Sequence, residues 1–188
     1  MPITDAELNK PSNTHLIRPA TDSVYRALNS WLHAPNSYEW WWLIIDHANG
    51  KYTAIRFEGL RELLARPESG VSMTTRLADL PPQQDNPADW EHPIPGVVSP
   101  TIVEQATVGT ARAIQLRQDS PGRLLIVLNN GFFRGILSGP ERIYAFTDKP
   151  LVDMIKEFEQ ETGSETVIIQ PPDTQTPSSE PPKPSPTV

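Results

Sequence analysis

The sequence predicts an α+β protein that contains two copies of one β-α-β-β-α unit. Residues 40–57 and 123–138 each place an Asn-Gly dipeptide between two apolar runs. This pattern favours an antiparallel hairpin, because both turn positions tolerate positive φ. A short helical pattern stands before each hairpin and another follows it. Neither copy can bury its sheet alone, so we expect the two copies to pack together.

The first copy begins with a short extended stretch at residues 15–19, which contains a proline typical of an edge strand. A helical pattern covers residues 23–32, the hairpin comes next, and a second helix at 58–65 ends before Pro67. A strand followed by a helix and a parallel strand crosses over right-handedly. We therefore expect the helices on one face of a small mixed sheet.

The second copy repeats this order. An extended stretch at 97–103 precedes a helical pattern at 110–116, and the hairpin follows. The last helix of this copy is predicted to begin near Pro140, since proline suits the first turn of a helix, and to end near Ala145.

Beyond the second copy, an apolar stripe at helical spacing predicts an amphipathic helix over residues 150–163, ended by Gly163. The stripe consists of Leu151, Met154, Ile155 and Phe158. Residues 166–169 are predicted to add a short strand. The last 18 residues hold seven prolines and no aromatic residue, so they cannot bury enough apolar surface to fold.

These patterns divide the chain into six segments. They are a flexible N-terminal segment at 1–13, a first repeat at 14–80, a Pro-rich linker at 81–97, a second repeat at 98–146, a C-terminal helix with a short strand at 147–170, and a disordered Pro-rich tail at 171–188.

Composition excludes several classes of function. The chain has no cysteine, which excludes disulfide frameworks and thiolate metal sites. A net charge of −7 without a basic stripe argues against nucleic-acid binding. The longest apolar run covers residues 40–45, far short of the roughly 20 residues a membrane helix needs. We expect a soluble, cytoplasmic protein that binds neither nucleic acid nor membrane.

Catalytic and metal-binding patterns are also missing from the sequence. The four histidines are scattered without metal-ligand spacing, and no G-x-S-x-G motif supports the Asp46-His47 pair. We therefore predict a non-enzymatic protein with no cofactor and no metal. Trp40, Trp41 and Trp42 are interpreted as part of a strand, the alternative being an exposed ring used for a dimer or partner contact.

The second hairpin runs into Gly135-Ile136-Leu137-Ser138-Gly139-Pro140-Glu141. This run, together with the repeated β-α-β-β-α order over residues 14–146, resembles the tandem CBS domain, a regulatory pair that often binds adenine nucleotides. The resemblance implies that Ser138 meets phosphate and that Glu141, which stands where the family has Asp, holds the ribose. Gly135 opens the motif and Arg134 precedes it, and both join the candidate ligand-binding residues.

In the first copy, Phe57 and Leu60 stand at the positions of Ser138 and Glu141, and neither side chain can bind a nucleotide in this way. We therefore expect one site per chain, with Phe57 filling the vacant cleft. The resemblance implies a regulatory sensor that binds an AMP- or ATP-type ligand between the repeats and signals to a partner protein or through a homodimer.

Two alternatives stay open. Ser138 with Glu141 three residues later also forms a capping box, which is a purely structural role at a helix start. The second alternative concerns the whole chain, which would then be an interaction or assembly adaptor that keeps the CBS-like fold without binding a ligand. Such an adaptor would use its tryptophans, its 150–163 helix and its tail as contacts.

Overall fold

A computed structural model of the chain describes residues 2–3, 15–34, 42–84, 95–138 and 149–163. In this part of the chain, four α-helices and six β-strands form an α+β fold, as predicted. The elements are β1 (His15–Pro19), α1 (Val24–His33), β2 (Trp42–Asp46), β3 (Tyr52–Arg56), α2 (Phe57–Ala65), β4 (Thr101–Glu104), α3 (Thr110–Asp119), β5 (Leu125–Asn129), β6 (Phe132–Leu137) and α4 (Lys149–Thr162). No helix among the described residues is long and apolar enough to span a bilayer.

The six strands form two sheets with the same topology. In the order β1-β2-β3, β2 pairs in parallel with β1 and antiparallel with β3. In the order β4-β5-β6, β5 pairs in parallel with β4 and antiparallel with β6. We call β1-α1-β2-β3-α2 the first unit and β4-α3-β5-β6 the second unit. Both hairpins predicted from the Asn-Gly dipeptides are confirmed.

The two hairpins differ in their turns. In the second hairpin, Asn130 and Gly131 have φ of 53° and 79° and form a two-residue turn between β5 and β6. The Glu104 carboxylate accepts hydrogen bonds from both of their amides. In the first hairpin the loop is longer, because Asp46 Oδ1 accepts from the Ala48 amide at 2.8 Å and β3 begins only at Tyr52.

Residues that follow α2 return to the start of α1. The Val24 amide donates to the Thr75 carbonyl at 2.8 Å, and the Tyr25 amide donates to the Met73 carbonyl at 2.9 Å. The first amides of a helix have no partner within the helix, so these bonds supply what α1 itself cannot. They anchor α1 to the segment that follows α2.

The described ends of the predicted linker lie side by side. Pro82 forms a bridge with Val97, and Val98 exchanges two backbone hydrogen bonds of 2.8 and 2.9 Å with Ala54 on β3. A Cβ at Gly96, whose φ is 141°, would lie 2.5 Å from the Gln83 backbone, so only glycine fits there. The described ends of the linker therefore pair with each other, and Val98 ties the residues that follow to β3.

The two sheets share one apolar layer, which we call the inter-sheet cluster. Its buried residues come from both units and from the segments before β4 and β5. They are Trp42, Ile44, Tyr52, Ala54, Val98, Leu124, Ile126 and Ile136. Each sheet thus buries one face against the other sheet, which joins the two units into one body.

The opposite face of each sheet is covered by helices. In the first unit, Leu43, Ile45 and Ile55 pack with side chains of α1 and α2, and residues of α4 join the same cluster. In the second unit, Val103, Leu125 and Val127 pack with Ala113 of α3 and with Ile3.

Ile3 corrects the expectation of a flexible segment at 1–13, as far as this segment is described. Its side chain is only 2% exposed. Its amide donates to the Val108 carbonyl at 3.1 Å, and its carbonyl accepts from Gln105 Nε2 at 3.1 Å. Because the residues around Ile3 are mostly polar, the sequence does not predict that Ile3 packs on the helical face of the second sheet.

Helix α4 follows the second unit in sequence but packs on the first unit. Leu151 and Ile155 are fully buried in the core of the first unit. Tyr25 Oη on α1 donates to Glu159 Oε1 at 2.9 Å, and the Tyr25 ring lies 5.1 Å from the Phe158 ring. The chain therefore crosses over, since residues before the first unit cover the second unit and a helix after the second unit covers the first.

Several sequence-based expectations lie outside the described residues. They are the positions of Trp40 and Trp41, the helix from Pro140 to Ala145, the strand at 166–169 and the disordered tail at 171–188.

Replacing Ile155 and Phe158 of α4 together by Ala should lower the free energy of unfolding by about 4 kcal/mol, because both side chains pack in the core of the first unit. Chemical denaturation of the parent and the variant measures this difference. Lys156→Ala with Gln160→Ala, at exposed positions of the same helix, is the matched control and should change stability little. Equal stability of parent and double variant would show that α4 does not dock in solution.

Candidate functional site

The candidate ligand site lies where β6 ends. Ser138 directly follows β6, and its carbonyl accepts a hydrogen bond from Arg117 Nη1 at 3.0 Å. Arg134 and Gly135 lie within β6, so three of the four predicted site residues lie on this strand or directly after it. Glu141, the fourth, lies outside the described residues.

The β6 strand places Gly135 and Arg134 differently. Gly135 is buried and pairs with Val127 of β5, next to a register irregularity between Val127 and Leu128. Arg134 is half-buried on the same strand. Gly135 thus serves the pairing of the sheet, whereas Arg134 adds a positive charge to the strand that leads to Ser138.

Arg117 is a candidate site residue that the sequence analysis missed. The helical pattern was predicted to end at residue 116, but α3 continues to Asp119 and brings Arg117 to the end of β6. A guanidinium has five N–H donors, so Arg117 can hold the Ser138 carbonyl and still bind an anion. Its position beside the serine predicted to meet phosphate suits an anionic ligand.

Ser120 fixes this end of the second unit. Its hydroxyl is buried, accepts from the Thr101 amide at 2.8 Å and donates to the Leu124 carbonyl at 2.5 Å. These bonds connect the end of α3 to the start of β4 and to the residue before β5. Because Arg117 lies on the last turn of α3, Ser120 also holds Arg117 in place beside the sheet.

The charge of the second unit differs from that of the whole chain. Residues 101–138 hold four arginines and two carboxylates, whereas the chain carries a net charge of −7. The carboxylates are Glu104, which binds the hairpin turn, and Asp119. This stretch of the chain therefore carries a net charge of +2, opposite in sign to the charge of the whole chain.

The matching end of the first unit is filled by side chains. Phe57 is 1% exposed and stacks on Trp31 with ring centroids 5.5 Å apart, while Leu60 is fully buried. Both belong to the core on the helical side of the sheet. The expectation that Phe57 fills a cleft between the repeats is therefore wrong, because Phe57 begins α2 and packs under the helices.

Trp42 occupies the inter-sheet side of this end. His15, Trp42 and Arg56 are register partners across β1, β2 and β3. The Arg56 guanidinium lies 5.1 Å from the centre of the Trp42 ring, and Trp42 is only 3% exposed. The predicted placement of this tryptophan in the core is confirmed.

His15 links the two units. Its ring makes an edge contact with Phe133 of β6 at 5.4 Å, and its Nδ1 is buried with no hydrogen-bond partner. Burial lowers the pKa of His15 from 6.5 to about 4, since a charged imidazole would lose its hydration there. The ring is therefore neutral at the contact between the units near neutral pH.

The Asp46-His47 pair has structural partners. His47 Nε2 lies 2.7 Å from Thr53 Oγ1, and the Asp46 carboxylate binds the Ala48 amide. Burial lowers the pKa of His47, Lys51 lowers it further, and Asp46 opposes this shift. Within the described ranges, no group of three or more His, Asp or Glu side chains is arranged to hold a metal ion.

The free energy of unfolding should fall as the pH drops from about 6.5 to about 4, in part because of His15. In this range His15 of the unfolded chain binds a proton, whereas the buried ring of the folded protein stays neutral, so protonation favours the unfolded state. Above a pH of about 6.5 His15 is neutral in both states and lowers the stability by nothing. Near pH 4 the loss in the free energy of unfolding reaches about 3 kcal/mol. His15→Phe should remove this part of the slope in melts recorded between pH 4 and 8. His33→Phe, at an exposed position of α1, should keep it, and identical slopes for parent and His15→Phe would contradict the assignment.

Comparison with known proteins gives no relative for this chain. No family model matches it, and neither the curated proteins nor the solved structures contain a match.

Proposed function

We propose that the protein is a non-enzymatic regulatory module that binds an adenine nucleotide or a related phosphate-bearing molecule between its two units and signals to a partner protein. The observation that carries this proposal is the Arg117 guanidinium bound at 3.0 Å to the Ser138 carbonyl. It places a cation beside the serine for which the resemblance to tandem CBS domains implies a phosphate contact. A phosphate bound there would receive both a charge and a hydroxyl donor.

The arrangement of the two units supports the same proposal. Each unit has the order β-α-β-β, and their sheets share the inter-sheet cluster. A ligand at Arg117 and Ser138 would bind at the end of a sheet that forms part of this shared layer. The local excess of arginine at residues 101–138 favours an anionic ligand in the second unit over the first.

The two units should differ in binding. In the first unit, Phe57 and Trp42 are buried at the end that corresponds to Ser138. The proposal therefore assigns one ligand to each chain, and substitutions at Phe57 act on stability instead of affinity.

Melting temperature measured with millimolar AMP, ATP or S-adenosylmethionine tests whether a ligand binds. A ligand at one hundred times its dissociation constant adds about 2.7 kcal/mol to the free energy of unfolding. Titration calorimetry should then give one ligand per chain. No change in melting temperature with any of the three compounds would refute adenine-nucleotide binding.

Arg117→Ala should weaken nucleotide binding by about 1.5 to 3 kcal/mol, the usual value of a hydrogen bond to a charged group, and Glu141→Ala should weaken it by a similar amount. Ser138→Ala should cost less. Arg112→Ala is the matched control, because Arg112 lies on the same helix, is exposed and binds Gln115 at 2.9 Å. Equal losses for Arg112→Ala and Arg117→Ala would point to a general charge effect and not to a site.

A second candidate function, the interaction adaptor, is favoured by one observation. Phe132 at the tip of the second hairpin is 78% exposed, which is unusual for a large aromatic side chain. Trp42 and the apolar stripe of α4, by contrast, pack against the cores within the chain, although Met154 and Phe158 of this stripe are only partly buried.

If Phe132 forms a contact between two copies of the chain, Phe132→Ser should lower the mass in solution from dimer to monomer. Light scattering after size-exclusion chromatography measures this mass. Asn129→Ser, at an exposed position of the same hairpin, is the control. A parent that is already monomeric would exclude the homodimeric form of the adaptor.

A further inference from the structure

The helices that follow the first strand of each unit correspond residue by residue. Both α1 and α3 contain 10 residues, and each residue of α1 corresponds to the residue 86 positions later. At the end of α1, the Ala34 amide donates to the Trp31 carbonyl at 3.3 Å. At the end of α3, the Ser120 amide donates to the Arg117 carbonyl at 3.2 Å. The two helices can therefore be compared position by position.

This comparison singles out four positions that are exposed in α3 but wholly or partly buried in α1. In α3 they are Ala111, Ile114, Gln115 and Gln118, which we call the α3 stripe, and in α1 they are Tyr25, Leu28, Asn29 and Leu32. The Ile114 side chain is 43% exposed, whereas Leu28 is 0% exposed. Residues spaced by three and four positions lie on one face of a helix. One whole face thus differs between the two helices.

Helix α4 covers this face on α1. Tyr25 donates its phenolic hydrogen to Glu159 Oε1 at 2.9 Å, and its ring lies 5.1 Å from the Phe158 ring. Leu28 packs in the same buried cluster as Ile155. The α3 stripe is the equivalent face of the second unit, and it is exposed.

We propose that the α3 stripe is the docking surface for an amphipathic helix of a partner protein, which carries carboxylates beside its apolar side chains and lies on α3 as α4 lies on α1. Docking buries Ile114, the one large apolar side chain of the stripe. The proposal is independent of the nucleotide site, because neither Arg117 nor Ser138 belongs to the stripe.

Charge favours an acidic helix as the occupant. Residues 101–138 carry a net charge of +2, and the exposed Arg112 beside the stripe donates to Gln115 Oε1 at 2.9 Å. The helix that covers the equivalent face of α1 has the opposite character, since α4 holds four carboxylates and two lysines. A second copy that packed its own α3 stripe here would bring two positive stretches together, which opposes binding.

The size of the surface also favours a single helix. A helix of 10 residues is about 15 Å long. A stable dimer buries roughly 800 Å² on each partner, which is more than one face of so short a helix offers. Reversible docking of one helix by a few apolar and charged contacts fits this surface.

A synthetic helix tests the proposal on the full chain. The probe is a peptide with the sequence of residues 149–163, capped at both ends and held helical by a hydrocarbon staple between positions 156 and 160, which are exposed on α4. Amide chemical shifts of the isotopically labelled protein are followed by NMR as the peptide is added. We expect saturable shifts in residues 110–119. The protein's own residues 149–162 should keep their shifts, because α4 stays docked on α1.

Matched changes separate the apolar and the charged parts of the contact. Ile114→Gln should weaken peptide binding about ten-fold, because it removes the large apolar side chain of the stripe. His33→Gln, at an exposed position of α1, is the control and should leave the affinity unchanged. A second peptide, in which Lys replaces Asp153, Glu157 and Glu161, should bind at least about five-fold more weakly than the first.

Several results would overturn the proposal. They are the absence of peptide-induced shifts in residues 110–119, equal affinities of Ile114→Gln and the parent, and equal affinities of the two peptides. Shifts in α3 that depend on the concentration of the free protein would instead assign the stripe to a second copy. Nuclear Overhauser contacts between Ile114 and residues 164–188 would assign it to the chain itself, and either assignment would replace the one made here.

Discussion

The structure depends on covering both faces of two small sheets. Leu43, Ile44 and Ile45 are consecutive and fully buried, and successive side chains of a strand point to opposite faces. The first sheet therefore cannot leave either face in water. One face of each sheet is covered by the other sheet, and the second face by helices. This shared requirement makes the two units parts of one body.

The same constraint positions the candidate site. Packing of the sheets fixes β6 against β5, and the buried Ser120 hydroxyl connects the end of α3 to both β4 and the start of β5. Arg117 and Ser138 meet because a helix and a strand end are held at one edge of a packed layer. Core packing therefore sets the geometry of the candidate site, and the Arg117 side chain supplies its charge.

The elements of the fold could be predicted because their signals are local. Strand runs and Asn-Gly turns located both hairpins, and apolar spacing located α1, α2 and α3. Partners distant in sequence could not be predicted in this way. Periodicity shows which face of α4 is apolar but not that Leu151 packs on the first unit. Arg117 and Ser138 are 21 residues apart, and no local pattern connects them.

The two hairpins show that even a local signal does not always predict the type of turn. Both contain Asn-Gly, yet only Asn130-Gly131 forms a two-residue turn. In the first hairpin, the Asp46 carboxylate binds the Ala48 amide, and the His47 amide donates to the Lys51 carbonyl at 2.9 Å. The hydrogen bond of the Asp46 side chain competes with the tight turn and favours the longer loop there.

The crossing of the chain between the units has a consequence for synthesis on the ribosome. Ile155 completes the core of the first unit, yet it is translated 90 residues after α2 ends at Ala65. At roughly 5 to 20 residues per second, the nascent first unit waits several seconds with its helical surface uncovered. Ile3, made at the start, likewise waits for Val103 and Ala113 of the second unit. The native core therefore closes only after α4 has been synthesised, and until then the nascent first unit exposes the apolar surface that α4 covers in the folded protein.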